Sequence, residues 1–313
     1  MQTNINTKNK FIQFRKKHGI FYVLMLAVPV IQFLIFYVGV NFNSILFAFQ
    51  DYNYDTGRYE LIGVQQFVKI FEDFKTLPYL WGAVGNSFIA LAVNIFTLFL
   101  GTFFSYYIYK KNSGGGFFKI ILFLPAMIST VSLAMIFRYF FDRAYPEIIL
   151  KLMGVKPTGL FSSEKTSFFA VLLYCVFIGF SSQILLLLGG MEGISPSVIE
   201  SGQIDGVTPF REFISIVIPM IYPTMVTFLV VQVGALFTNQ ANLYTFYQGG
   251  AEYSVYTMGY YLYKKTLGVG ATTLSEYPYL SALGLILTII SVPVTFTVKW
   301  ALEKFGPDME GKR

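Results

Sequence analysis

The sequence predicts an all-α polytopic membrane protein with six transmembrane helices. Three observations carry that prediction. Apolar residues make up 55% of the 313 residues and charged residues only 13%, roughly half the charge of a soluble globular chain. Mean hydropathy is +0.58. The apolar residues are also gathered into long runs free of Asp, Glu, Lys and Arg. A soluble enzyme, a disordered chain and a nucleic-acid binder are excluded on these grounds, since the net charge of +6 is spread along the chain and not gathered on one face.

A helix needs about 20 apolar residues to cross a bilayer. Uncharged runs cover Gly19 to Gln50, Thr76 to Tyr109, Ile120 to Phe137, Thr166 to Met191, Phe213 to Ala251 and Tyr277 to Val298. The spans expected within residues 20–300 are 20–40, 82–108, 118–140, 167–190, 214–237 and 279–299, between a basic tail at 1–19 and a second tail at 301–313. The first run follows a basic flank, as a secretory signal does. Its uncharged stretch is too long for a signal core and no A-x-A pattern follows it, so it reads as a retained anchor.

Orientation follows from the basic residues near the span ends. Lys8, Lys10, Arg15, Lys16 and Lys17 precede the first span, Lys110, Lys111 and Lys119 follow the second, and Lys299, Lys304, Lys312 and Arg313 follow the sixth. Against these stand three acids, Glu303, Asp308 and Glu310. With six spans all three segments share one side, so both termini are expected to be cytoplasmic. The long loops 41–80, 141–166 and 239–278 then lie outside. The loop 192–213, between the fourth and fifth spans, is cytoplasmic and acidic: Glu192, Glu200, Asp205 and Glu212 accompany one base, Arg211.

Single residues narrow the chemistry. The one cysteine, Cys175, lies in an apolar run and reads as a small core residue; it excludes an internal disulfide and a multi-cysteine metal site. The one histidine, His18, belongs to the basic flank. No metal site and no catalytic residue is expected. A membrane enzyme would need clustered acids, His or Cys. An ion-coupled secondary transporter, another class to weigh, wants ionisable groups inside its spans. The six cores hold only Arg138, at an edge, where it snorkels or pairs with Asp142 at i+4.

The cytoplasmic loop carries the strongest local pattern. Ser195-Pro196 is a helix start, a hydroxyl N-cap followed by proline at the first helical position. Gly206 is placed to end that helix in left-handed geometry. Thr208-Pro209 repeats the start, and the second helix runs on into the fifth span. The expectation is helix, glycine elbow, helix.

The spacing Glu200-Ser201-Gly202, three residues, Gly206, nine residues, Ile216, one residue, Ile218-Pro219 resembles the EAA signature of ABC importer permeases, E-A-A-x3-G-x9-I-x-L-P. Glu200, Gly206, Ile216 and Pro219 match, while Ser201, Gly202 and Ile218 are conservative departures. Asp205 and Pro209-Phe210 resemble the sugar-importer version of the loop. Elsewhere Phe49, Asp51 and Tyr52 look like an F-T-D-Y segment, Gly63 with Gln66-Phe67 is similar to G-x-x-N-F, Asn86-Ser87 resembles N-T, Phe123-Leu124-Pro125 matches F-L-P, and Gly249-Gly250 resembles a glycine-rich turn before the sixth span. The family resembled is that of carbohydrate permeases of the maltose and glycerol-phosphate type, with the type I importer fold.

The resemblance implies a subunit in the bacterial cell membrane that forms half of a translocation pathway for a sugar or oligosaccharide. Its implied partners are a second permease subunit that is a different chain, two cytoplasmic ATPase subunits and an extracytoplasmic solute-binding protein. ATP and Mg belong to the partner ATPase. The residues agree with that division, because no G-x-x-x-x-G-K-[ST] occurs in this chain. The loop 192–213 is then a coupling helix seated on the ATPase. Glu200, Ser201, Gly202, Asp205 and Gly206 are the coupling residues, with Glu200 facing a basic group of the partner. Val198, Ile199 and Ile204 either grip that partner or pack on the chain's own helices.

A neutral sugar offers apolar C–H faces and many hydroxyls, so its path wants aromatic platforms and amides. The candidates are Asn94 in the second span, Gln183 in the fourth, Gln232 and Asn239 on the fifth, and Asn242, with Phe237 and Tyr244 as stacking faces. Gln232, Asn239 and Asn242 share one stripe if the helix continues to Asn242. The competing reading is that each amide simply bonds across a helix interface.

Overall fold

In lipid a chain must satisfy its backbone polar groups internally, which favours helices for uncharged runs of this length. The computed structural model, which describes residues 21–111, 114–268 and 274–307, follows that rule. Helix α1 covers Phe21–Phe47. Strands β1 (Gln50–Asn53) and β2 (Arg58–Leu61) form a hairpin, and α2 covers Gln65–Thr76. There follow α3 (Pro78–Tyr109), α4 (Gly115–Met127), α5 (Thr130–Met153), α6 (Glu164–Glu192), α7 (Pro196–Ile204), α8 (Pro209–Gly234), α9 (Leu243–Tyr247), α10 (Met258–Thr266) and α11 (Glu276–Phe305). Among the described residues α1, α3, α6, α8 and α11 are long and apolar enough to cross a membrane, and α4 with α5 qualifies as a sixth, bent span.

That bent pair lies where one span is expected, at 118–140. Its two limbs meet at 105°. Pro125 lies inside α4 and withdraws a backbone donor, and Ile128 and Ser129 take extended backbone between the limbs. Both limbs are tied to α6: the Ser181 hydroxyl donates to the Leu122 carbonyl, and the Tyr174 hydroxyl donates to Thr130 O at 3.0 Å.

The chain divides into two compact units, residues 1–69 with 274–285, and residues 70–273 with 286–313. In the first, the hairpin pairs Gln50 with Leu61 and Asn53 with Arg58. Gly63 takes φ +68°, the left-handed turn out of β2. Gln66, 3% exposed, then donates its amide to Gln50 O at 3.1 Å, and Phe67 lies 5.4 Å from Phe49 between ring centres. The G-x-x-N-F-like segment is thus the clasp that closes the hairpin on α2.

In the second unit α3 packs along α6. Their C-terminal ends form a core of Leu98, Tyr106, Leu187 and Met191, joined by Ile194, Phe213, Val217 and Ile221. At the opposite end of α3, Asn86 donates to Ser254 O and Tyr256 O, each at 2.9 Å, while Ser87 Oγ accepts Met258 N at 2.9 Å. These two residues pin the loop before α10.

Candidate functional site

The predicted elbow is present between α7 and α8. Ser195 has N-cap backbone geometry, with its hydroxyl 2.9 Å from that of Ser197 instead of capping the helix, and Pro196 opens α7. At the far end Gly206 N donates to Gln203 O and Val207 N to Gly202 O, each at 3.0 Å. This is a Schellman closure, and Gly206 takes the φ of +75° that it demands. Thr208 and Pro209 restart the helix, and α8 continues through a π-helical turn at Phe213–Val217.

One face of α7 is turned into the protein. Ile199, 8% exposed, joins the core formed by α3, α6 and α8, and Gly202 is buried. A side chain added at Gly202 would meet Ile216 Cδ1 at 2.8 Å, so the missing Cβ lets α7 approach α8. The other face is free. Glu200, Ser201 and Asp205 are exposed, Val198 is 37% exposed and Ile204 86%. Of the three apolar positions, Ile199 packs on the chain's own helices while Ile204 stands clear of them. The Ser201 hydroxyl turns back to Val198 O at 3.0 Å.

A charged cluster that sequence reasoning did not single out lies behind the elbow. Glu212, in the first turn of α8, is 2% exposed. Lys110 Nζ, at the C-terminal end of α3, lies 3.0 Å from both of its carboxylate oxygens. The Tyr106 hydroxyl is 3.1 Å from Glu212 Oε1 and 2.9 Å from Pro209 O. An acid at a helix start and a base at a helix end both suit the helix dipoles. Removing one member of such a buried pair costs about 3–5 kcal/mol, because the other charge is left unmatched. The signal lay in the two signs at the two helix ends. Nothing local joins residues 102 apart in sequence.

The amide candidates separate into two groups. Asn94 on α3 is half-buried. Gln183 on α6 is 8% exposed, and its Oε1, like that of Gln232 on α8, is buried without a hydrogen-bond partner. Asn239 and Asn242 belong to the fold. Helix α8 ends at Gly234, so the stripe expected from Gln232 through Asn239 to Asn242 does not form. Asn239 Oδ1 accepts Ala241 N at 2.8 Å, closing a turn, and Ala241 and Asn242 take left-handed backbone. Asn242 donates to Cys175 Sγ at 3.7 Å, and that buried thiol donates to Ala241 O at 3.4 Å.

The two aromatic candidates are used as well. Phe237 is buried edge-on to Phe88, and Tyr244 meets Tyr263 edge-on at 4.9 Å. Two apolar grooves flank α4, one lined by Phe123, Met127 and Leu188, the other by Pro125, Phe137, Phe177 and Phe180; none of the amides lines either. Arg138 pairs with Asp142 at 3.7 Å and donates to Phe246 O at 2.9 Å. Among the described residues no cluster of His, Cys, Asp and Glu is arranged to hold a metal. His18 and the basic tail lie outside the described residues.

Comparison with known proteins agrees with this architecture. The chain is 24% identical over 268 residues to the multiple sugar-binding transport system permease protein MsmF of Streptococcus mutans, covering 85% of this chain and 89% of that one. It is 26% identical over 278 residues to the arabinooligosaccharides transport system permease protein AraP of Bacillus subtilis, covering 87% and 85%. Among solved structures, a chain of a bacterial ABC transporter involved in import of the acidic polysaccharide alginate superposes with a TM-score of 0.75 at 16% identity, covering 95% of this chain and 99% of that one. The all-α importer fold expected from the sequence is the fold observed. Residues 94–311 match the model of the binding-protein-dependent transport system inner membrane component family, and with that match spanning more than half of its length the chain belongs to this family, a membrane transport component and not an enzyme.

Proposed function

We propose that this chain forms half of the translocation pathway of an ATP-driven importer for a sugar or oligosaccharide, and that its 192–213 loop couples the pathway to a cytoplasmic ATPase. The single observation that carries the coupling is the two-faced α7. Ile199 and Gly202 seat it on the core, while Glu200, Val198, Asp205 and Ile204 remain outward on a face that the described residues do not cover. An isoleucine 86% exposed beside an acid, at the end of the bundle expected to be cytoplasmic, suits a groove with apolar walls and a basic rim. Membership of a binding-protein-dependent family argues against the ion-coupled alternative. The sugar is supported by the relatives, whose names refer to multiple sugars and arabinooligosaccharides. A second permease chain and an extracytoplasmic binding protein complete the machine, and both termini are taken to be cytoplasmic.

The test is substitution on the two faces of α7 in the assembled complex. Glu200→Ala and Ile204→Ala should weaken ATPase retention on purification and lower uptake, with unchanged insertion and melting; truncating an interfacial charge costs about 2–5 kcal/mol of binding. Ile199→Ala should instead lower the melting temperature, since burying less of a core isoleucine costs about 2–5 kcal/mol. Normal ATPase retention and uptake in both outward variants would end the coupling reading.

A further inference from the structure

We infer that Glu212, Lys110 and Tyr106 form the strut that carries displacement of the coupling elbow into α3, so that Glu212 and Lys110 are positioning residues of the transport cycle. The inference rests on the coupling reading of the 192–213 loop. It stands on three observations. First, the elbow has no rigid covalent route to α3: it joins α6 on one side and α8 on the other, and α8 passes through a π-helical turn at Phe213–Val217 immediately after Glu212. Such turns are points of adjustment in a helix. Second, the start of α8 is tied to α3 by polar, directional contacts as well as by apolar packing of Phe213 on Tyr106. Lys110 Nζ holds both oxygens of Glu212 at 3.0 Å, and the Tyr106 hydroxyl reaches Glu212 Oε1 and the carbonyl of Pro209, the residue that opens α8. Third, the carboxylate is 2% exposed and the lysine 21%, so water competes poorly for the pair and salt screens it weakly.

The apolar contacts at this place hold the two helix ends together but by themselves would allow them to slide. A buried ion pair together with the Tyr106 hydroxyl, which reaches both Glu212 Oε1 and Pro209 O, resists that sliding, because moving either helix end would strand a charge or a polar group. When the elbow moves, the end of α3 is drawn with the start of α8.

The decisive variant removes both charges at once. Single substitutions strand a buried charge and act on folding, whereas Glu212→Gln with Lys110→Met leaves neither charge behind. In the full complex reconstituted in liposomes, the double variant is expected to assemble with wild-type amounts of ATPase and to keep basal ATP hydrolysis within two-fold. Stimulation by loaded binding protein and solute uptake should fall at least ten-fold. Tyr106→Phe, which removes the hydroxyl shared between Glu212 Oε1 and Pro209 O and no charge, should lower the stimulated-to-basal ratio two- to three-fold. Wild-type uptake and stimulation in the double variant would overturn the strut, and so would failure of the double variant to assemble, which would make the cluster a folding element only. Glu200→Ala and Ile204→Ala measured alongside separate the two readings: normal ATPase retention and uptake in both with loss in the double variant ends the docking of α7 and keeps the strut as a link within the permease, and the reverse pattern ends the strut alone.

Discussion

Gln232 and Gln183 stand out at the scale of the residue, because each has a buried amide oxygen with no partner. An unpaired acceptor of this kind costs about 1–3 kcal/mol. In a transporter that changes shape, an acceptor left unpaired in one state is available to the other state, or to the solute. Asn239 and Asn242 each have one amide atom engaged, Asn239 Oδ1 in the turn after α8 and Asn242 Nδ2 at the Cys175 thiol. Gln232→Ala is therefore expected to change uptake or solute preference at least three-fold while basal ATPase activity of the complex persists. Asn239→Ala should act on stability, through the turn it closes. Initial uptake rates with two or more saccharides check this, and an unchanged preference profile for Gln232→Ala would remove it from the pathway.

Among the elements, the elbow depends on one backbone position. Gly206 has φ +75°, and a Cβ there would meet nothing within 4 Å. Substitution therefore acts through backbone strain alone, about 1–2 kcal/mol for a residue with a Cβ held in left-handed geometry. Asn tolerates that region better than Ala, and a β-branched residue tolerates it least. Uptake per inserted complex should fall in the order Gly, Asn, Ala, Val. Equal uptake for Gly206→Val and Gly206→Asn would show that the left-handed closure is not what positions α7. The bent α4–α5 span obeys the same kind of local rule: Pro125 removes a donor, and Ser181 and Tyr174 on α6 supply bonds to both sides of the break.

For the whole molecule the testable property is its sidedness. Twelve Lys and Arg lie in the three segments expected inside, and the β1–β2 hairpin lies in a loop expected outside. On a Cys175→Ala background, Asp55→Cys at the exposed hairpin turn should react with an impermeant thiol reagent in intact cells. Thr3→Cys should react only after lysis. The opposite pattern would invert the topology and, with it, the side of the elbow. Cys175 itself is buried, so the wild-type protein should resist the same reagent until it is denatured.

The sequence alone determined what is local. Membrane class and the apolar runs follow from composition, and α7 and its elbow follow from Ser195-Pro196, Gly206 and Thr208-Pro209, because caps and left-handed turns are properties of a few consecutive residues. Glu200 was legible as an outward residue of that helix. The tertiary structure alone decided which way its apolar neighbours face, Ile199 into the core and Ile204 out of it. It ended α8 at Gly234 and so dissolved the amide stripe, and it brought Glu212 to Lys110 across 102 residues. The reason is the same in each case. Hydropathy and capping act along the chain, but which polar group is buried, and against what, is set by how the ends of α3, α6 and α8 pack together, and a buried charge takes its partner from whatever that packing places within 3 Å.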